Sequence, residues 1–252
     1  MRLRLIVATA VSIDLPVPAS VLAIGAHADD VEFGAGATLA KWADGGAAVH
    51  LLVLTDGSKG TWRADTSLPE LVAARRREQE KAAAVLGIRD VSFLDLADGE
   101  LTSGRAEQAL VCAAIRNFRP EVVMGHDPWQ RYRLHPDHRH AGFLVTDGIV
   151  AARDPHFFPE QGMDPHRPER LLLFEADAPD HFERVDGFVD TKIEALLCHR
   201  SQWETTMKIE ADSPEADVQR DAFARRVIEE AGAAGAPAGL AHAEAFKLIE
   251  DL

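Results

Sequence analysis

Val21-Leu22-Ala23-Ile24-Gly25-Ala26-His27-Ala28-Asp29-Asp30-Val31-Glu32-Phe33-Gly34-Ala35-Gly36 is the stretch from which the rest of the chain is read. It opens on an unbroken apolar run that ends in small residues, the pattern of a parallel strand buried on both faces. It closes into residues 34–43, which have helical character. Between strand and helix lie a histidine, two aspartates and a glutamate. In open α/β sheets ligands bind outside the carboxyl ends of the strands, so this cluster stands where a site belongs. His27 and Asp30 can reach one point from a single turn, and imidazole nitrogen and carboxylate oxygen both bind Zn2+ at about 2 Å. Asp29, between them, can face the same cavity without touching a metal. A helix cap accounts for one Asp only. A dinucleotide loop fits poorly, because Gly34-Ala35-Gly36-Ala37-Thr38-Leu39 lacks the third glycine of G-x-G-x-x-G.

Working outward, β-rich runs alternate with helical ones. Strands are expected at residues 49–54, 91–94, 121–125 and 171–174 as well as 21–25. Helices are expected at 69–86, 106–118, 137–152, 191–200 and 215–231. The helix at 69–86 begins with Pro69-Glu70 and stops before Gly87, the usual punctuation of a helix. This alternation predicts an α/β fold: a Rossmann-like, mostly parallel sheet with helices on both faces, in a single domain over residues 1–252. Residues 154–170 carry four prolines and read as a long surface loop that could wall a pocket.

A second polar segment follows the fourth of these strands: His126-Asp127-Pro128-Trp129, then His135-Pro136-Asp137-His138. In the order 3-2-1-4 the first and fourth strands are neighbours, so the two segments converge. His138 then completes a His-Asp-His set with His27 and Asp30. Three protein ligands and an open fourth position are the pattern of a catalytic zinc. His126 borders this site but is left out of the metal shell. Asp137 either orients a histidine or caps its own helix. Trp62, Trp129 and Tyr132 lie on loops beside the motifs and either stack on a sugar or pack the rim; Arg131 and Arg133 could contact an anionic substituent. His50 reads as core, and His156, His166, His181 and His242 as solvated.

Bulk properties narrow the class. The chain has 252 residues, 46% of them apolar, and a formal net charge of −14. An acidic surface disfavours nucleic acid and anionic membranes. No apolar run approaches the roughly 20 residues of a membrane helix. Two cysteines, Cys112 and Cys198, give no short metal or disulfide spacing, and a reducing cytoplasm is the expected setting. The N-terminal run at residues 1–11 reads as an edge strand or a loose leader. A homo-oligomer is left open.

At the two polar segments the chain resembles the PIG-L/LmbE-like zinc deacetylases. The family pattern AHPDD-x-E reads here Ala26-His27-Ala28-Asp29-Asp30-Val31-Glu32, and HPDH reads His135-Pro136-Asp137-His138. The resemblance runs over about residues 20–205, through Arg75-Arg76-Arg77-Glu78-Gln79-Glu80 and His199-Arg200-Ser201-Gln202; the final fifty residues add little to it. It implies one Zn2+ per chain on His27, Asp30 and His138. It implies Asp29 as general base, His135 as the group that steadies the oxyanion and protonates the amine, and Arg75 as a substrate contact. Ala28 replaces the usual proline and Ala37 a frequent glycine, which loosens the loop but removes no ligand. The expected activity is removal of an N-acetyl group from a small amino sugar or glycoside. The rivals are an amidase that cuts a larger amide, such as a thiol conjugate, and a non-catalytic Rossmann-type binding protein.

Overall fold

The computed structural model describes residues 11–88 and 90–252; an edge strand or leader at residues 1–10 lies outside them. The elements run β1 (Ser12–Ile13), β2 (Ser20–Gly25), α1 (Asp30–Asp44), β3 (Ala48–Thr55), α2 (Leu68–Val85), β4 (Asp90–Leu96), α3 (Arg105–Phe118), β5 (Val122–His126), α4 (Pro136–Arg153), β6 (Arg170–Phe174), β7 (His181–Arg184), α5 (Val189–Leu197), α6 (Ala216–Gly235) and β8 (Ala243–Glu250). They build one eight-stranded sheet in the order β1-β7-β8-β6-β5-β2-β3-β4. Only β8 runs antiparallel to its neighbours, β6 and β7. The parallel core β4-β3-β2-β5-β6 is the expected doubly wound order.

Alternation along β2 sorts its side chains to two cores. Val21 and Ala23 pack with Val31, Leu39 and Trp42 of α1, while Leu22 and Ile24 pack with Val111 and Ile115 of α3 and Leu144 of α4. Helices therefore cover both faces, and β2 is apolar without a break from Val21 to Ile24. β2 and β5 pair directly, with Ala23 opposite Met124, so His27 and His126 leave adjacent strand ends.

Three departures concern the second half of the chain. Beyond the expected strands, β7 and β8 lie in the sheet. β8 carries Glu244 on its buried side, which hides the strand from a hydropathy reading. That carboxylate accepts from the backbone N–H groups of Ala37 and Thr38 at 3.1 and 2.8 Å and pairs with Lys192 at 2.7 Å. His181, expected to be solvated, is fully buried and bonded to Ser12 and Glu183: strand β7 sits inside the sheet between β1 and β8, so its polar side chains are satisfied internally. The long loop at residues 154–170 lines no part of the main cleft, because it returns the chain from the C-terminal end of α4 to the start of β6, away from the carboxyl edge.

Gly34 sets the depth of α1. A Cβ there would stand 2.5 Å from the Phe174 ring, and Phe174 in turn packs its ring edge-on against His126 at 4.6 Å. The missing side chain lets the first turn of α1, with Asp30, approach the end of β5.

Candidate active site

The β2–α1 turn presents the first group of residues. His27 follows the end of β2, and Asp29 takes a left-handed backbone, φ 94° and ψ −26°. A non-glycine residue there is strained by about 1–2 kcal/mol, and the surroundings hold it in place. Gln79 of α2 accepts from the Asp29 N–H at 3.1 Å, and Arg75 donates to the Ala28 carbonyl at 2.7 Å. These two contacts supply the rigidity that a proline at position 28 would otherwise contribute. The Asp30 carboxylate folds back onto the His27 N–H at 2.7 Å.

The second group comes from the start of α4. Pro136 occupies the first helical turn, where its missing N–H costs nothing. Asp137 is wholly buried while His138 turns toward the β2–α1 turn. His27 Nδ1 lies 3.3 Å from Asp30 Oδ2, His138 Nε2 lies 3.3 Å from Asp30 Oδ1, and the two imidazole nitrogens are 3.2 Å apart. Atoms bound at about 2 Å to one tetrahedral ion stand roughly 3.3 Å from each other. One ligand atom from each of the three residues lies within 4.8 Å of the other two, close enough to share a divalent ion.

The surroundings of His27 agree with this fit. His27 Nε2 points away from this group, 3.2 Å from both Asp137 Oδ2 and Asp98 Oδ1. A proton on Nε2 leaves the Nδ1 lone pair free, the usual arrangement of a metal-binding histidine backed by carboxylates. Burial opposes the charged form of His27, but its bonds to Asp137 and Asp30 hold its pKa well above the ordinary imidazole range, so a metal ion would have to displace a proton from Nδ1. Burial pushes His138 down to about 4 against the pull of Asp30, so it is neutral at pH 7. Burial opposes ionisation of Asp30 as well, but His138 and His126 keep its pKa well below the carboxylate range.

Asp29 is 6% exposed. Burial drives its pKa up to about 6; Arg75, 3.6 Å away, pulls it down and Asp30 pushes it up. It is thus a carboxylate near the affinity for protons that a base working at neutral pH needs. His135 is exposed at the cleft mouth, stacked on His138 at 4.7 Å. Burial and the neighbouring His27 lower its pKa, so it rests neutral rather than protonated and offers one N–H.

Asp137 does not cap its own helix. It accepts from His27, from Gly99 N–H at 2.7 Å and from Leu101 N–H at 3.3 Å, contacts that orient a histidine and leave no capping role. Arg75 is 4% exposed and lines the cleft. Much of its guanidinium is engaged by the Ala28 and Gly57 carbonyls and by Asp29.

Three participants, Asp98, Gln79 and Glu175, escaped sequence reasoning, and a fourth, His126, was placed beside the site without a role. Asp98 lies just past β4 and backs His27; its position at a strand's carboxyl end was the available signal. His126 holds Asp30 Oδ2 at 3.2 Å and is held by Glu175 at 3.0 Å, making it a support for the group rather than a bystander. Gln79 and Glu175 gave no signal at all. The aromatic expectation fails in part: Trp62, Trp129 and Tyr132 are exposed and line no part of the cleft, whereas Phe33 does. Of the two arginines, Arg133 lines the cleft beside Glu175, and Arg131 turns to Asp177. The cleft itself is about 770 Å3, with Lys59 and Asp98 on one wall and Thr206 and Glu230 on another.

Comparison with known proteins matches this arrangement. Residues 22–149 match the PIG-L family model, described as GlcNAc-PI de-N-acetylase. A diacetylchitobiose deacetylase of Thermococcus kodakarensis is 37% identical, over 73% of this chain and 70% of that protein. A 4-oxalmesaconate hydratase of Pseudomonas putida is 27% identical, over 73% of this chain and 76% of its own. Among solved structures, the N,N′-diacetylchitobiose deacetylase of Pyrococcus horikoshii, bound to an inhibitor, superposes with a TM-score of 0.82 at 28% identity, covering 92% of this chain and 84% of that one. The family match spans β2 through most of α4, the segment that carries both polar motifs and the pairing that joins them, and the chain belongs to the PIG-L GlcNAc-PI de-N-acetylase family.

Proposed function

We propose that this protein is a zinc-dependent N-deacetylase acting on a small N-acetylated amino sugar or glycoside. The observation that carries the reading is the His27–Asp30–His138 group, with contacts of 3.2–3.3 Å among its side chains, open to a cleft that Asp29 also lines. Those three side chains would hold one Zn2+, which when bound supplies Lewis acidity toward a carbonyl oxygen and toward water. Asp29 accepts the proton that water gives up as it adds to the amide carbonyl. His135 donates its N–H to the oxygen that gains charge. The C–N bond then breaks, the amine nitrogen takes the proton that Asp29 had accepted from water, and acetate remains. Asp137 and Asp98 fix the tautomer of His27. Arg75 holds Asp29 and the turn, and meets the substrate on the cleft wall. The unpaired Cys112 and Cys198 accord with a cytoplasmic setting.

The named relatives support the substrate class, since the one at 37% identity is a diacetylchitobiose deacetylase. The hydratase relative shares the scaffold at lower identity. The test is to load the protein with zinc, incubate it with N-acetylglucosamine and N,N′-diacetylchitobiose, and measure free amine and acetate. Release of both in equal amounts is the expected result. Turnover of a bulky non-acetyl amide alone would retire the reading in favour of an amidase, and water addition to an unsaturated dicarboxylate alone in favour of a hydratase.

A further inference from the structure

Behind the base lies a buried polar chain that the proposed chemistry does not use. The Asp29 N–H donates to Gln79 Oε1 at 3.1 Å. Gln79 Nε2 donates to Glu32 Oε1 at 2.5 Å. His199 Nε2 stands 3.9 Å beyond that same oxygen. Gln79, Glu32 and His199 are all fully buried. Glu32 Oε2 and both His199 ring nitrogens have no hydrogen-bond partner among the described residues. A buried carboxylate with an unsatisfied oxygen is expensive, and a packing role alone would be filled better by an apolar side chain.

We infer that Glu32 is a positioning residue: by fixing the orientation of the Gln79 amide, it holds Asp29 in its left-handed backbone and so aims the carboxylate into the cleft. A glutamine amide can be turned over at little cost, presenting either oxygen or NH2 to a neighbour. The Asp29 N–H requires the oxygen. A carboxylate accepts and does not donate, so Glu32 draws the NH2 to itself and leaves the oxygen facing Asp29. With a neutral amide at position 32 that choice is lost. A flipped Gln79 would set NH2 against the Asp29 N–H, and the strained turn would relax toward an ordinary negative φ. Glu32 lies in the first turn of α1, where its carboxylate reaches toward Gln79 of α2; it is absent from the cleft lining. The inference rests on Asp29 being the base.

The order of donors and acceptors supplies a rescue test. Glu32→Gln removes the fixed acceptor. Gln79→Glu sets two carboxylates together. The double variant Glu32→Gln/Gln79→Glu restores the order of the chain: the Asp29 N–H meets one carboxylate oxygen at position 79, and the amide NH2 now at position 32 meets the other. With N,N′-diacetylchitobiose as the probe, each single variant should lower kcat by about 10- to 100-fold, with KM and zinc content near the parent's. The double variant should recover most of that loss. Hydrogen exchange of the Asp29 amide, read on the zinc-loaded protein, should rise in both single variants and return in the double, whichever substrate the enzyme prefers. Two single variants with unchanged amide exchange, or a double variant as impaired as the worse single one, would overturn the inference. Asp29→Asn is run alongside: undiminished turnover in that variant would instead overturn the assignment of the base.

Discussion

The two ends of α4 receive opposite treatment from the same fold. At its N-terminus no side chain caps the helix; the first turn sets His138 beside His27 and Asp30, and Asp137 behind His27, and His135 stands open at the cleft. At its C-terminus a single side chain, Arg116 of α3, is buried against the chain. It donates to the carbonyls of Ala151, Ala152, Asp154, Phe157 and Phe158 and to the Gln161 side chain, at 2.8–3.5 Å. A cation at the negative end of a helix, meeting the carbonyls that the helix cannot pair, is favourable on both counts. One end is therefore closed and serves stability; the other keeps its polar groups turned to a cavity and serves chemistry. Polar burial stabilises where every group finds a partner, and creates a site where partners are withheld.

Substitutions at the two ends test that division. The largest effect is expected on the His27–Asp30–His138 group. Asp30→Ala or His138→Ala should lose bound zinc, and with it activity by more than about a hundredfold, as should a strong chelator; atomic absorption and acetate release check both, and a small change in Tm would show that the open end adds little stability. Asp29→Asn comes next. Asn tolerates a left-handed backbone, so the turn and the zinc should persist while turnover falls by at least about a hundredfold. Metal loss as complete as in Asp30→Ala would mean that the two aspartates have been assigned the wrong way round.

Arg116→Ala should do the reverse. Deleting a buried cation that ties five carbonyls together, four of which would keep only a backbone N–H, costs about 2–4 kcal/mol, or a fall in Tm of about 5–10 °C for a chain of this size. Turnover per folded molecule should stay at the parent value, and a loss of kcat as large as the loss of stability would end the distinction between the two ends. Arg75 blends both roles, since it bridges two carbonyls yet faces Asp29. Arg75→Ala should lower kcat/KM by about tenfold without releasing zinc, a result visible in steady-state kinetics beside metal analysis. Smallest of all is Trp62→Ala. That ring is 75% exposed and outside the cleft lining, so KM should move by no more than about twofold; a larger shift would show that it folds over bound substrate.

The amino-acid sequence alone determined the doubly wound core and picked out His27, Asp30 and His138, the residues proposed here to hold the metal. Both rest on local rules: the apolar run of β2 needs no context to read as a buried strand, and His27 and Asp30 share a turn because they are three residues apart. The convergence of His138 on them followed from strand order, which the β2–β5 pairing bears out. Only the tertiary structure decided the rest. Asp98, Glu175 and Gln79 join the site across 71, 49 and 50 residues, counted to His27, His126 and Asp29, and no periodicity marks such partners. β8 was hidden because Glu244 occupies a buried position that becomes tolerable only once Lys192 and the α1 backbone surround it. The left-handed turn at Asp29 was equally out of reach, since a strained backbone persists only when distant side chains, here Gln79 and Arg75, hold it.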